Sequence, residues 1–200
     1  MTPSENPGDS APLSLSTSLE LRPPFLLFLG DAVNPLDAKT ASGLVQWRPE
    51  DCVAQLRFAN ARVDTGLPDM DIGQARRSGA RSLVIGVAPV GGALNPDWET
   101  TLANALDAGL DIVSGMHTPL NSLPKLANAA YRSGRRLVDV RRPPEGLTVA
   151  TGRRRSGRRV LTVGTDCCVG KKYTALALHR ALRRMGVDAT FRATGQTGIM

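Results

Sequence analysis

The chain has 200 residues, 42% of them apolar, three cysteines and a net charge of +7. That is apolar surface enough for one domain or a little more. No run of about 18 apolar residues suggests a membrane span, and no basic segment followed by an apolar run suggests a secretory signal, so a cytoplasmic protein without membrane partners is expected. An odd cysteine count with Cys167 adjacent to Cys168 speaks against a disulfide framework and lacks the spacing of paired zinc thiolates, so no metal site is expected.

Residues 1–24 are rich in Ser, Pro and Thr without a sustained period and read as a disordered arm. Order is expected from Phe25. Short apolar runs at 25–29, 83–87, 111–113 and 137–140 read as strands, with a further strand near 53–57 and a loop through Gly66-Leu67-Pro68-Asp69. Between them lie helices. Asn95-Pro96 caps one predicted over 98–108 that stops at Gly109, and another over 123–133 closes at Gly134. Alternating strands and helices predict an α/β domain, residues 25–142, with a parallel sheet covered by helices.

Ligands of such sheets bind beyond the carboxyl ends of the strands. Here those positions are small or polar: Gly30-Asp31, Ala88-Pro89-Val90-Gly91-Gly92, Ser114-Gly115-Met116-His117 and Asp139-Val140-Arg141. They are either turn residues or the rim of a pocket with His117 and Asp31 as its polar groups. Residues 143–157 form a Pro/Gly/Arg connection. The arginines around it (Arg135, Arg136, Arg141, Arg142, Arg153, Arg154, Arg155, Arg158, Arg159) could grip a nucleic-acid backbone, but no aromatic residues are interleaved for stacking. A solvated linker, or one that helps to hold a small polyanion, fits better than nucleic acid.

Residues 158–200 carry the most informative pattern. An apolar strand, Val160-Leu161-Thr162-Val163, runs into Gly164-Thr165-Asp166-Cys167-Cys168-Val169-Gly170-Lys171 and then into a helix over 171–185 that stops at Gly186. In such a turn the backbone N–H groups and the helix dipole converge on one spot, and Lys171 adds a full charge: a phosphate cradle. Two departures from G-x-x-x-x-G-K-[ST] matter. Thr165 stands where the first glycine belongs, and Lys172 where the hydroxyl residue belongs, with Thr174 about 200° further round the helix. A phosphate site is therefore expected, rather than a site for magnesium-nucleotide hydrolysis. A strand near 189–193 follows, and the crossover places Gln196 and Thr197 on the same edge as the loop. Two strands and one helix cannot bury enough surface to stand alone, so the chain is expected to be a piece of a longer protein, weakly active or inactive by itself.

The loop, from Gly164 through Tyr173 to Thr174, together with Ala193-Thr194-Gly195-Gln196-Thr197-Gly198, resembles the D-glutamate N-acetyltransferase family. The likeness extends through Leu29-Gly30-Asp31, Asp37-Ala38-Lys39-Thr40-Ala41, the run 43–50, the run 86–92 and Gly115-Met116-His117. It implies a Rossmann-like N-terminal domain joined to the start of a P-loop domain, and acetyl transfer from acetyl-CoA to the amine of D-glutamate in D-amino-acid catabolism. Coenzyme A carries phosphates that a lysine-flanked helix N-terminus can hold without the hydroxyl missing at Lys172. Residues 164–174, with Gln196 and Thr197, would then bind the cofactor. The transfer needs a base and oxyanion donors. Asp166 or His117 is the candidate base, and loop N–H groups or Gln196 the donors. Asp166 could equally brace the loop, and His117 could be structural. His179 reads as a surface or packing residue. Cys167 and Cys168 could be nucleophiles of a ping-pong route, although small size suited to a tight loop explains them better. About a dozen residues of the loop also resemble dethiobiotin synthetase, which implies ATP and magnesium, and a non-catalytic nucleotide- or CoA-binding module is a third reading. A small-molecule substrate is expected throughout, and a homo-oligomer is compatible with the sequence.

Overall fold

A computed structural model describes residues 20–89, 92–141, 152, 156–166 and 169–193. The proposed arm and the connection to the P-loop unit lie mostly outside these residues; Cys167, Cys168, Gln196 and Thr197 lie wholly outside them.

Strand β1, Phe25–Gly30, is buried at all six positions, which only the centre of a sheet covered on both faces provides. It pairs in parallel with β2, Cys52–Arg57, on one side and with β3, Ser82–Ile85, on the other. β4, Asp111–Ser114, and β5, Leu137–Asp139, continue the sheet in the order β2-β1-β3-β4-β5, every pairing parallel. This is the expected parallel α/β sheet, and the strand placed near 53–57 proves to be β2 at one edge. That edge is closed locally. The Gln55 amide donates to the Pro68 carbonyl at 3.0 Å and the Met70 amide returns to Gln55 O at 3.0 Å, while the buried Gln55 side chain donates to Asp64 at 2.8 Å and accepts from the Thr65 amide at 2.9 Å. Residues 64–70 thereby occupy backbone groups that would otherwise invite another strand.

Helix α1, Lys39–Trp47, follows a 3-10 turn, Pro35–Ala38, capped by the Asn34 side chain accepting from Leu36 N at 3.0 Å. Its start is stapled to the end of β3: Ala41 N donates to Gly86 O at 2.9 Å and Ala88 N to Asp37 O at 2.6 Å. A Cβ on Gly86 would lie 2.6 Å from the Ala41 Cβ, so the close approach requires glycine. Helix α2, Ile72–Arg77, opens with a capping box between Asp71 and Gln74. α3, Glu99–Asp107, is preceded by a 3-10 turn in which Asn95 caps Asp97 N at 3.0 Å, as the Asn-Pro signal predicts. α4, Pro124–Ser133, stops at Gly134, which sits in the left-handed region at φ 64°. Leu102, Leu106, Leu126 and Ala129 of α3 and α4 join Leu26, Phe28, Leu83, Ile85 and Ile112 of the sheet in one core.

The second unit differs from expectation. Residues 158–164 and 189–193 are not in strands, and Val160, Leu161 and Val163 are 75%, 78% and 78% exposed. A strand is defined by its partner, and among the described residues nothing pairs with these segments. The helix is as expected: α5, Lys171–Arg184, ends ahead of Gly186 at φ 77°.

Candidate functional site

The turn before α5 has the build of an anion cradle. Gly170 adopts φ 97°, a left-handed conformation that releases the backbone into the helix. The first bond of α5 runs from Thr174 N to Gly170 O at 3.0 Å, with Thr174 Oγ1 on the same carbonyl at 3.2 Å. An α-helix leaves the N–H groups of its first turn without an intrahelical acceptor, and in α5 that turn is Lys171, Lys172 and Tyr173. Across the loop, a Cβ on Gly164 would stand 2.7 Å from Val169 Cγ2 and 3.2 Å from Lys171 Cδ, so this glycine makes room for the lysine stem. The Lys171 ammonium folds back onto the Asp166 carbonyl. Gly164, Asp166, Val169, Gly170 and Lys171 are thus brought together as the sequence proposes, and Thr165 lies within the same turn.

Lys172 and Tyr173 turn toward the first domain. Lys172 Nζ sits 4.5 Å above the Tyr173 ring centroid, and the Tyr173 ring stacks on Trp47 of α1 at 6.4 Å and 13°. About two turns further along α5, the Arg180 guanidinium lies 4.2 Å from the Trp47 ring. Burial, and then the charge of Lys39 at the start of α1, push the Lys172 ammonium down to about 8. Burial raises the Tyr173 phenol, against a smaller opposing effect of Lys39. Lys39 and Trp47 entered the sequence reading only as part of the family likeness, and Arg180 was not singled out. A signal existed for the first: only four of the 25 basic residues are lysines, and Lys39 is one of them.

His117 belongs to another neighbourhood. Its amide donates to Gly92 O at 2.9 Å, and Arg141 Nη1 stands 3.1 Å from its Nε2. A guanidinium only donates, so Nε2 accepts and the ring proton rests on Nδ1. As a base, His117 would have to take a proton at the nitrogen that Arg141 already occupies. Asp31 is a brace: its carboxylate accepts from Trp98 Nε1 at 2.9 Å, beneath a ring that packs edge-on to Phe28 at 5.4 Å. His179 packs as expected, with Nε2 3.2 Å from the Ala189 carbonyl and its ring 6.3 Å from Phe191. It also lines an open groove of about 440 Å³ with Trp47, Leu176, Arg180, Arg183 and Arg184. No helix among the described residues is long and apolar enough to cross a membrane.

Comparison with known proteins accounts for both units. Residues 56–143 match a Rossmann-like domain of unknown function, DUF1611_N, and residues 148–200 match the P-loop domain of the same family, DUF1611. A relative from Tritonibacter scottomollicae, named D-glutamate N-acetyltransferase, is 47% identical over 177 residues, which are 88% of this chain and 53% of the relative. One of the same name from a Pseudoalteromonas species is 41% identical over 182 residues, 91% of this chain and 55% of that protein. The chain thus spans about half the length of the curated relatives it matches. The crystal structure of a DUF1611 family protein from Anabaena variabilis superposes with a TM-score of 0.75 at 34% identity, covering 89% of this chain and 55% of that one. With its Rossmann-like sheet and its lysine-headed loop both matched in order, the chain belongs to the DUF1611 family.

Proposed function

We propose that this chain forms the Rossmann-like half and the phosphate-binding start of a cytoplasmic N-acetyltransferase, which moves acetyl from acetyl-CoA to the amine of D-glutamate as a step of D-amino-acid catabolism. The observation that carries the reading is the loop of residues 164–171: a glycine that admits the Lys171 stem, a left-handed Gly170 and three helix-opening N–H groups around one lysine. This donor set suits the phosphates of coenzyme A. Lys172, at the position where a Mg-nucleotide loop carries a hydroxyl, argues for a carrier that is bound rather than hydrolysed. The names of the two relatives support the same substrates.

When acetyl-CoA is bound, the thioester supplies the acyl group. Lys171 and the loop N–H groups would hold its phosphates and orient the carbonyl. The test is ligand-induced stabilisation of the full-length protein with acetyl-CoA and with Mg-ATP. A ligand at a hundred times its dissociation constant adds about 2.7 kcal/mol. Stabilisation by acetyl-CoA, lost in Lys171→Ala, is expected, together with acetylation of D-glutamate detected by mass. Stabilisation by Mg-ATP alone would instead support an ATP-dependent enzyme of the dethiobiotin synthetase kind.

A further inference from the structure

Three strand ends converge on one guanidinium. Beyond β3 and β4 the chain is laced together, the His117 amide donating to Gly92 O at 2.9 Å and the Leu94 amide to Thr118 Oγ1 at 3.4 Å. The fit around His117 is close. A Cβ on Gly92, whose φ is 64°, would stand 2.0 Å from His117 Cδ2, so only glycine lets the ring lie there. Beyond β5, the Val140 amide donates to Ser114 O at 2.9 Å, and the next residue, Arg141, reaches His117 Nε2 at 3.1 Å. Buried Met116 and Val140 anchor the two exposed side chains that follow them.

Arg141 is held differently from the arginines of the domain that pair with aspartate: Arg57 with Asp69, Arg132 with Asp107, Arg136 with Asp111. Its partner is an uncharged imidazole nitrogen, and among the described residues no carboxylate forms an ion pair with it. A guanidinium has five N–H donors in a fixed fork, of which His117 takes one. The imidazole therefore sets the angle of the fork without neutralising its charge, and the free donors match a carboxylate with two parallel bonds.

The location agrees. Ligands of a sheet with this strand order sit outside the carboxyl ends of the strands, where Arg141 and His117 stand beyond β5 and β4. The cradle borders the same edge: α1 starts at the end of β3, where the Ala88 amide donates to Asp37 O at 2.6 Å, and the charge of its first residue, Lys39, bears on Lys172. In coenzyme A the thioester lies at the end of a long arm leading away from the phosphates. The acceptor's place is therefore apart from the cradle.

Resting on the acyl-transfer reading above, we propose that Arg141 binds a carboxylate of the acceptor amino acid and that His117 is the positioning residue that aims it. His117 then serves the reaction without exchanging a proton, in keeping with an Nε2 that is already occupied.

The experiment uses the full-length protein. Arg141→Ala should raise the KM for D-glutamate about 10- to 100-fold, the worth of hydrogen bonds to a charged group, with kcat and the stabilisation by acetyl-CoA kept within a few-fold. Arg141→Lys keeps the charge but loses the fork, and should recover only part of that loss. His117→Gln offers Arg141 an acceptor and should stay near wild type, whereas His117→Phe should raise KM several-fold. A residue that only supports the fold would show neither the split between KM and kcat nor the recovery by glutamine. NMR of the wild-type protein gives a readout independent of how any variant folds. The Arg141 Nε–H resonance should move when D-glutamate is added to the complex with CoA, at concentrations that calorimetry shows to saturate. An Arg141→Ala variant with wild-type KM, or a resonance that stays in place at saturation, overturns the inference alone. A wild-type protein that neither binds nor acetylates D-glutamate overturns the acyl-transfer reading and this inference together.

Discussion

Among single residues, Asp111 shows how much one buried carboxylate can hold. Its side chain is 2% exposed at the start of β4, where Oδ1 accepts from the Arg136 amide at 2.9 Å and Oδ2 from Arg136 Nε at 2.8 Å, with Arg22 3.8 Å away. Removing one partner of such a pair leaves an uncompensated charge. Asp111→Ala is expected to cost about 3 kcal/mol, read as a lowered urea midpoint with an unchanged slope. Nothing in the sequence singled this aspartate out, since its importance comes from β5 lying alongside β4. His117 and Asp31 teach the reverse lesson. Both sit at strand ends, as foreseen, yet each has a neighbour distant in sequence, Arg141 in one case and Trp98 in the other, that gives it structural work.

At the scale of elements, α1 touches both units. Gly86 lets it lie against the end of β3, and Trp47 at its far end receives Tyr173 and Arg180 from α5. Aromatic pairs contribute about 0.5–1.5 kcal/mol beyond area burial, and exposed cation–π contacts about 0.5–1 kcal/mol. Trp47→Ala should therefore loosen α5 from the sheet domain without unfolding that domain. Hydrogen exchange offers the check: amides of residues 171–184 should exchange several-fold faster, while those of β1 keep their protection. Equal acceleration in β1 would show that Trp47 belongs to the common core. The helices themselves were legible because their punctuation is chemical and local: Asn95-Pro96 at one start, Gly134 and Gly186 at two stops. The strands proposed at 160–163 and 189–193 were read from apolar runs alone, and such runs become strands only beside a partner.

The whole molecule carries the balance of charge. Lys172 has a folded-state value near 8 against an ordinary 10.5, so between those values the unfolded chain binds the extra proton. The unfolding free energy owed to this group therefore rises with pH across that window, and its penalty is fully present below about 8. Cys52, pushed up to about 11 by burial and by Asp51 and Glu50, acts oppositely: its contribution is lost as pH rises from about 9 to 11. Comparing wild type with Lys172→Met cancels the cysteine. The variant should be the more stable at pH 7, and its advantage should shrink from pH 8 to 10.5 in urea titrations. An advantage that does not vary with pH would mean that Lys172 is not destabilised by its surroundings.

The sequence by itself determined the sheet class, the approximate limits of α3, α4 and α5 and the Gly-Lys turn ahead of α5, because apolar periodicity, caps and that turn all act within a few residues of chain. Only the tertiary structure decided what surrounds each chemical group: that the Lys39 charge bears on Lys172, that Arg141 occupies His117, that Trp47 receives α5. Desolvation and Coulomb interactions fall off with distance in space and take no account of separation along the chain, so they came into view only once the chain was folded.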